Sequence, residues 1–180
     1  MKLHHRLCAI MSLLPLLTAP SARAEEQGPV PGWMRGTWVA VEVRQAELPQ
    51  RSFDPVAEYS GKPLTITAGE IRFRDLGCEV SDVKARTGRF DRAFVEGSGG
   101  LQPGKYGLPP ERGSVAYYAV SCRHRLIIYE KGDDPTDPSA HTDKSDPTHW
   151  SIIVRSHAEI DIPYGGATYI RFRRQAEPTS

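Results

Sequence analysis

The sequence predicts an all-β fold, an antiparallel barrel or sandwich of about eight or nine strands. Short segments that alternate apolar and polar residues, such as Leu64-Thr65-Ile66-Thr67, recur between turns that contain glycine or proline. The second half is rich in tyrosine, valine and isoleucine, which favour strands, and no long amphipathic helix interrupts them. With 180 residues, 39% hydrophobic and 25% charged, the chain has the size and composition of one globular domain.

The predicted domain spans residues 36–174 and follows a proline- and glycine-rich leader at 25–35. Its first strand opens at Gly36-Thr37-Trp38 and continues through a β-branched segment. Asp54 before Pro55 predicts a short helical turn with an aspartate cap. The clearest hairpin turns at Ala68-Gly69. Strands are predicted at 39–43, 64–67, 71–74, 78–83, 92–95, 114–121, 126–130, 150–154, 159–162 and 168–173.

Two long segments separate the strands. Residues 97–113 are rich in glycine and proline, which predicts a mobile loop at a rim, and residues 132–148 hold aspartates and prolines in a second loop. Tight turns are predicted at Arg123-His124 and at residues 163–166. A polar tail covers residues 175–180.

The first 24 residues have the pattern of a signal peptide. Lys2 and Arg6 give a basic start, residues 7–17 form an apolar segment, and Ala22-Arg23-Ala24 is a small-x-small cleavage site. Residues 7–17 are too few to anchor the chain across a bilayer, and no later segment is apolar enough. We therefore expect no transmembrane segment in the mature chain, and a periplasmic or secreted protein.

The mature chain is expected to be close to neutral. Residues 1–24 contain three of the 23 basic side chains and none of the 22 acidic ones, which leaves 20 basic and 22 acidic groups and a formal charge of −2. This balance provides no excess of basic charge that would attract nucleic acid or an anionic membrane, so we expect neither as a partner.

Two of the three cysteines remain after removal of the signal peptide. Cys8 leaves with it, and Cys78 and Cys122 form the simplest pair for one disulfide in an oxidising compartment. Closing a loop of this length stabilises a fold by roughly 4 kcal/mol in the chain-entropy model. The alternative is two unpaired buried thiols. A thioredoxin-like role is not supported, because the sequence has no Cys-x-x-Cys motif.

The Gly-x-Trp motif at residues 36–38, the succession of hairpins and a basic residue in the final strand resemble the calycin superfamily, the lipocalins and lipocalin-like small barrels. The resemblance implies an antiparallel up-and-down β-barrel of about eight strands whose open end binds a small apolar molecule. It also implies that Trp38 plugs the closed end and that Arg171 or Arg173 packs across the indole.

The first strand departs from that pattern in one respect. Strict alternation places Trp38 on the same face as Ala40 and Glu42, whereas three valines at 39, 41 and 43 form the more apolar face. Either the strand bends at Trp38 or the indole faces the other way.

Aromatic residues on predicted strands are the candidates for lining a ligand cavity. The same residues are suited to filling a core, since a barrel of eight strands holds only side chains or one small ligand, and core filling is the simpler interpretation. The candidates are Phe73, Tyr117, Tyr129, Trp150 and Phe172.

Neither catalysis nor metal binding has a strong motif. Gly-x-Ser-x-Gly and His-Glu-x-x-His are absent. His141 and His149, with the aspartates of residues 132–148, form the one candidate metal cluster, but such a segment is typical of a solvated loop. Glu159 and Asp161 share one strand face, which is typical of a water-facing edge. We expect no catalytic residue, no metal, no cofactor and no enzymatic activity.

Two functional hypotheses have support, whereas a third, an enzyme that uses the barrel mouth, has no supporting constellation of residues. The first is an exported lipocalin-like binding protein that holds a small apolar or amphipathic ligand non-covalently. The alternative is an exported inhibitor of a hydrolase, a lysozyme or a peptidase, that inserts a rim loop, 97–113 or 132–148. A basic outer stripe would suit an acidic protein partner, although solvated strand faces explain its arginines equally. These are Arg72, Arg74, Arg171, Arg173 and Arg174.

Overall fold

The computed structural model describes residues 28–47, 54–74, 76–129, 141–146, 148–164 and 167–176, and at 127–129 and 141–145 it describes the backbone alone. The predicted signal peptide 1–24, residues 132–140 of the second loop and the tail at 177–180 lie outside the described residues. The strands are β1 (Gly36–Gln45), β2 (Pro63–Ile66), β3 (Glu70–Phe73), β4 (Leu76–Arg89), β5 (Ser114–Tyr129), β6 (His141–Ser145), β7 (Thr148–Ser156), β8 (Glu159–Tyr164) and β9 (Thr168–Arg174). The helices are α1 (Pro55–Tyr59), α2 (Phe90–Gly97) and two 3-10 helices, Gly32–Met34 and Pro103–Tyr106.

Eight of these strands close into an antiparallel up-and-down barrel. Strands β1 to β5 each pair with the next, β5 pairs with β7, and β8 and β9 continue the order. The barrel closes between β9 and β1, from Trp38↔Arg174 to Gln45↔Thr168. β6 pairs with the end of β5, beyond β7. The predicted barrel is confirmed. None of the described helices has the length and apolar character needed to cross a membrane.

The predicted hairpin and helix cap are both present. β2 and β3 alternate buried and exposed side chains, because each strand presents one face to the barrel interior. The Asp54 carboxylate accepts hydrogen bonds from the backbone N–H groups of Val56, at 2.9 Å, and Ala57, at 3.3 Å, and Pro55 opens α1.

Several local predictions are wrong. Residues 141–145, predicted as part of the second loop, form β6 and pair with β5. Residues 92–95 belong to α2 rather than to a strand, because Phe90, Ala93 and Phe94 fall on one helical face and are all buried. Arg123-His124 is no turn, since β5 continues through it and pairs with β4 on both sides. Pro163 and Tyr164 extend β8 instead of beginning a turn, and residues 165–166 lie outside the described part.

A β-bulge in β1 explains the mixed pattern of the first strand. The register with β9 shifts between Ala40 and Glu42, so the side-chain alternation changes phase at Val41, which is 45% exposed. Trp38 and Ala40 before the bulge are buried in the interior, and Val43 after it packs against the same core. The strand therefore bends two residues after Trp38 and keeps the indole inside.

The disulfide between Cys78 and Cys122 is formed, which confirms that prediction. The two residues lie on β4 and β5 inside the barrel, with Cα atoms 5.2 Å apart and 44 positions apart in sequence. The bond therefore joins two neighbouring barrel strands across the long connection that contains α2.

Candidate functional site

Trp38 closes one end of the barrel. Its side chain is fully buried, and its indole N–H donates to the Met34 carbonyl at 2.9 Å. The guanidinium of Arg174, the last residue of β9, lies over the indole at 4.3 Å from the ring centroid. Arg174 also donates to the carbonyls of Trp33 and, at 2.9 Å, of Arg35. This end is thus sealed by the last strand and the first 3-10 helix.

The arginine over the indole is Arg174, and the prediction of Arg171 or Arg173 is corrected. Phe172 is buried inside the barrel, and the two-residue period of a strand places Arg174 on the same side as Phe172. Arg171 and Arg173 lie on the outer face, and the side chain of Arg173 is 62% exposed.

Replacing Arg174 by methionine is expected to lower the free energy of unfolding by about 2 kcal/mol, because it removes the cation–π contact and the donor to two carbonyls. Arg173→Met is the matched control on the same strand, where loss of an exposed ion pair costs under about 1 kcal/mol. Urea unfolding followed by fluorescence measures both. Equal losses in the two variants would contradict the closing role of Arg174.

Asp161 is fully buried on the outer face of β8, where a water-facing edge was predicted. Its carboxylate accepts hydrogen bonds from Arg171, at 2.9 Å, and from Arg155. Arg155 also binds Glu111 at 2.7 Å, and Arg171 binds Glu42 at 3.1 Å. Two arginines thus share three carboxylates in one network, which we call the Asp161 network.

The Asp161 network keeps its two guanidinium groups and the neighbouring Tyr169 phenol protonated. Burial lowers the pKa of Arg155, but its hydrogen bond to Glu111 and the charge of Asp161 outweigh burial and raise it above its usual value. The hydrogen bond to Asp161 likewise raises the pKa of Arg171. Burial, and then the charge of Asp161, raise the pKa of the neighbouring Tyr169 phenol. The guanidinium groups of Arg155 and Arg171 therefore stay charged over the whole physiological pH range.

Residues 97–113, whose composition predicts a loop at a rim, contain a 3-10 helix and pack in part against the outer wall of the barrel. Tyr106 and Leu108 are buried in a second hydrophobic cluster, outside the barrel, together with Phe94 of α2. Tyr106 and Phe94 meet at 5.0 Å between ring centroids. Glu111, near the end of the segment, is held by Arg155. Apolar packing and one ion pair fix a segment whose composition indicated a loop.

The five predicted ligand-lining residues separate into different environments. Phe73 and Phe172 are fully buried in the barrel interior, with ring centroids 5.0 Å apart, so they fill the core. Tyr117 is buried outside the barrel in the second cluster. Tyr129 lies on β5, and its side chain lies outside the described part. Trp150 is half-buried and borders a cavity.

This cavity, of about 430 Å³, opens at the end of the barrel opposite Trp38. Tyr164, which lines it, pairs with Thr168, and Thr168 pairs with Gln45 at the far end of β1. β7 and β8 pair from Ile153↔Asp161 to Ser156↔Glu159, and beyond these pairs lie the beginning of β7 and the end of β8. The cavity occupies this end of the two strands.

The last turn of α2 packs closely beside the cavity. A Cβ atom on Gly97 would lie 2.6 Å from the Cβ of Ser151 and 3.2 Å from the Cγ of Pro163, so only glycine allows the helix to approach both strands here. The Ser151 hydroxyl also donates to the Ala93 carbonyl at 2.9 Å. α2 is thereby held at a fixed position on the rim.

Both apolar and polar side chains line the cavity. Trp150 and Tyr164 meet edge to face at 5.9 Å, and the Tyr164 hydroxyl donates to the Phe73 carbonyl at 3.1 Å. Leu76 and Pro163 are further apolar lining residues. The charged and polar lining residues include Glu96, Arg125 and His149.

A second cavity, of about 400 Å³, adjoins the first on the outer face of β4, β5 and β7. The two share Glu96, His149 and Trp150 as lining residues. The second is lined in addition by Lys84, Arg86, Ala119, Ser121 and Ser151. We call the two cavities together the mouth cleft.

The histidines and outer arginines take up other positions. His157 stacks on Trp33 at 5.3 Å, and the side chain of His141 lies outside the described part. Among the described residues, no three His, Cys, Asp or Glu side chains are grouped to hold a metal ion. The outer arginines contact acids of the same chain: Arg72 pairs with Glu70, Arg74 with Glu58, and Arg173 with Glu159.

Comparison with protein-family models, with curated protein sequences and with solved structures gives no significant match to this chain.

Proposed function

We propose that this protein is an exported binding protein that holds a small amphipathic ligand non-covalently in the mouth cleft. The mouth cleft carries the proposal, because the aromatic rings of Trp150 and Tyr164 and several polar side chains line the same cavity. A volume of about 430 Å³ falls in the usual range for small-molecule sites. The barrel interior is packed with side chains such as Phe73 and Phe172, which supports a ligand at the mouth rather than along the barrel axis.

Export is supported by two features of the chain. Residues 1–24 have the basic, apolar and small-residue sections of a signal peptide. The Cys78–Cys122 disulfide suits an oxidising compartment such as the periplasm or the extracellular space. The ligand would then be met outside the cytoplasm.

The hydrolase-inhibitor hypothesis receives less support from the described residues. An inhibitory loop has to project into the active site of the enzyme, whereas residues 97–113 lie against the barrel wall, with Tyr106 buried and Glu111 bound to Arg155. Residues 132–140 of the second loop lie outside the described part. Mixing the protein with a lysozyme or a peptidase and finding loss of activity would favour this alternative.

Two fluorescent amphiphiles with the same aromatic body test the proposal. N-phenylnaphthylamine is uncharged, and anilinonaphthalene sulfonate carries one negative charge. We expect at least one of them to bind saturably at one site per chain. Trp150→Ala is expected to weaken that binding about tenfold, because the indole is a large apolar group that lines the cavity, and a tenfold change corresponds to about 1.4 kcal/mol.

Trp33→Ala is the matched control. Trp33 is also a half-buried indole, but it lies at the opposite end of the barrel, against Tyr118 and His157. It should leave probe binding unchanged. Absence of saturable binding of either probe, or equal weakening by both tryptophan variants, would contradict a ligand site in the mouth cleft.

A further inference from the structure

Basic side chains outnumber acidic ones among the described residues that line the mouth cleft. Lys84, Arg86 and Arg125 are cations, and His149 adds an imidazole. The carboxylate among these residues is that of Glu96. A ligand group placed beside Lys84 and Arg86 therefore meets two cationic hydrogen-bond donors and one carboxylate.

The charge of Glu96 is already compensated within the chain. Arg86 donates to its carboxylate at 3.0 Å, Arg92 at 3.4 Å, and the Tyr117 hydroxyl at 3.3 Å. These three donors occupy acceptor positions that a cationic ligand would need. Glu96 thus offers little attraction to a positively charged ligand.

Lys84 is the most adaptable of the cations. Its ammonium lies 3.3 Å from Asp82, but the two side chains are 68% and 50% exposed, and ion pairs this exposed stabilise little. An ammonium on a flexible stem has three donors and can contact an incoming anion while it stays close to Asp82. Arg86, on the same face of β4, shares the Glu96 carboxylate with Arg92, so these two cations and one anion leave a net positive charge beside Lys84.

We infer that the ligand is an anionic amphiphile, whose carboxylate, sulfate or sulfonate group lies on the side of Lys84 and Arg86 and whose apolar body packs against Trp150 and Tyr164. This inference rests on the proposed function and narrows it to one charge class. It disfavours cationic amphiphiles as ligands, since the one carboxylate among the described lining residues, that of Glu96, already accepts three hydrogen bonds.

The two naphthalene probes also test this inference, because they differ by one sulfonate. At low ionic strength, anilinonaphthalene sulfonate is expected to bind about tenfold more tightly than N-phenylnaphthylamine, and added salt should reduce the difference. Lys84→Gln should reduce the preference for the sulfonate about threefold and leave the affinity for the uncharged probe unchanged.

Arg89→Gln is the matched control, since Arg89 is an exposed cation on the same strand and is absent from the residues that line the mouth cleft. It should leave both affinities unchanged. Equal affinity for both probes, or a preference that Lys84→Gln leaves intact, would overturn the anionic ligand while a site in the mouth cleft still stands. Binding of neither probe would overturn the proposed function as well.

Discussion

Replacing Asp161 by asparagine is expected to lower the free energy of unfolding by about 3 kcal/mol, the low end of the range for a broken buried ion pair. The carboxylate is fully buried, and its loss leaves two neighbouring guanidinium groups, those of Arg155 and Arg171, without their shared counter-charge. Glu111 and Glu42 still contact these arginines, which is why we expect the low end. Urea unfolding followed by circular dichroism measures the loss.

Glu159→Gln is the matched control for this variant. Glu159 lies two residues earlier on the same face of β8 and pairs with Arg173, but its side chain is 30% exposed and that of Arg173 is 62% exposed. Loss of such a pair is expected to cost under about 1 kcal/mol. If Asp161→Asn cost no more than Glu159→Gln, the Asp161 network would not stabilise the fold in the way described.

Reduction of the Cys78–Cys122 disulfide is expected to have the second large effect, about 4 kcal/mol of unfolding free energy. The bond closes a loop across 44 positions of sequence, and opening this loop gives the unfolded chain back its conformational entropy. Urea unfolding of the wild-type protein with and without a reductant should show the loss as a lower midpoint.

A variant with both Cys78→Ala and Cys122→Ala serves as the control for the reductant. Its midpoint should match that of the reduced wild-type protein within the small cost of two buried sulfur atoms, and the reductant should not change it further. A wild-type midpoint that the reductant leaves unchanged would show that the bond contributes little to stability.

The barrel could be predicted from local sequence pattern. Which side chains face its interior could be predicted only in part. Alternation in residues 64–67 and 71–74 is strict, and both strands were predicted with the correct faces. In β1 the bulge after Ala40 changes the phase, and a bulge has no signature in residue type here. Residue propensity predicts a strand where α2 lies, because Phe94 and Val95 favour strands. The helical spacing of Phe90, Ala93 and Phe94 is the signal that indicates the helix instead.

Asp161 shows why the outer face of a barrel is harder to predict. Glu159 and Asp161 do share one face of β8, as alternation indicates. Which part of that face is covered depends on residues 90–113, much earlier in the chain, through contacts such as the one between the Arg155 guanidinium and the Phe90 ring, 4.5 Å from the ring centroid. No local pattern in β8 carries this information.

Of the residues that line the mouth cleft, only Trp150 is among the ligand-lining candidates predicted from the sequence. Trp150 is an aromatic candidate because it lies on a predicted strand, and His149 belongs to the candidate metal cluster. Glu96 and Tyr164 were not candidates, since they join Trp150 through tertiary packing of α2 and the end of β8. The close approach at Gly97 brings them together, and a glycine at a helix end is usually only a stop signal.

The pairing of Trp38 with Arg174 has a consequence for how the chain folds. The first and last strands of the sheet form its seam, so both keep an exposed edge until the final residues of β9 are available. Contacts that join such distant positions make folding slow relative to helical proteins of this size. Until β1 and β9 pair, the incomplete sheet can pair with other chains at its two edges. Pairing of β1 with β9 covers both edges.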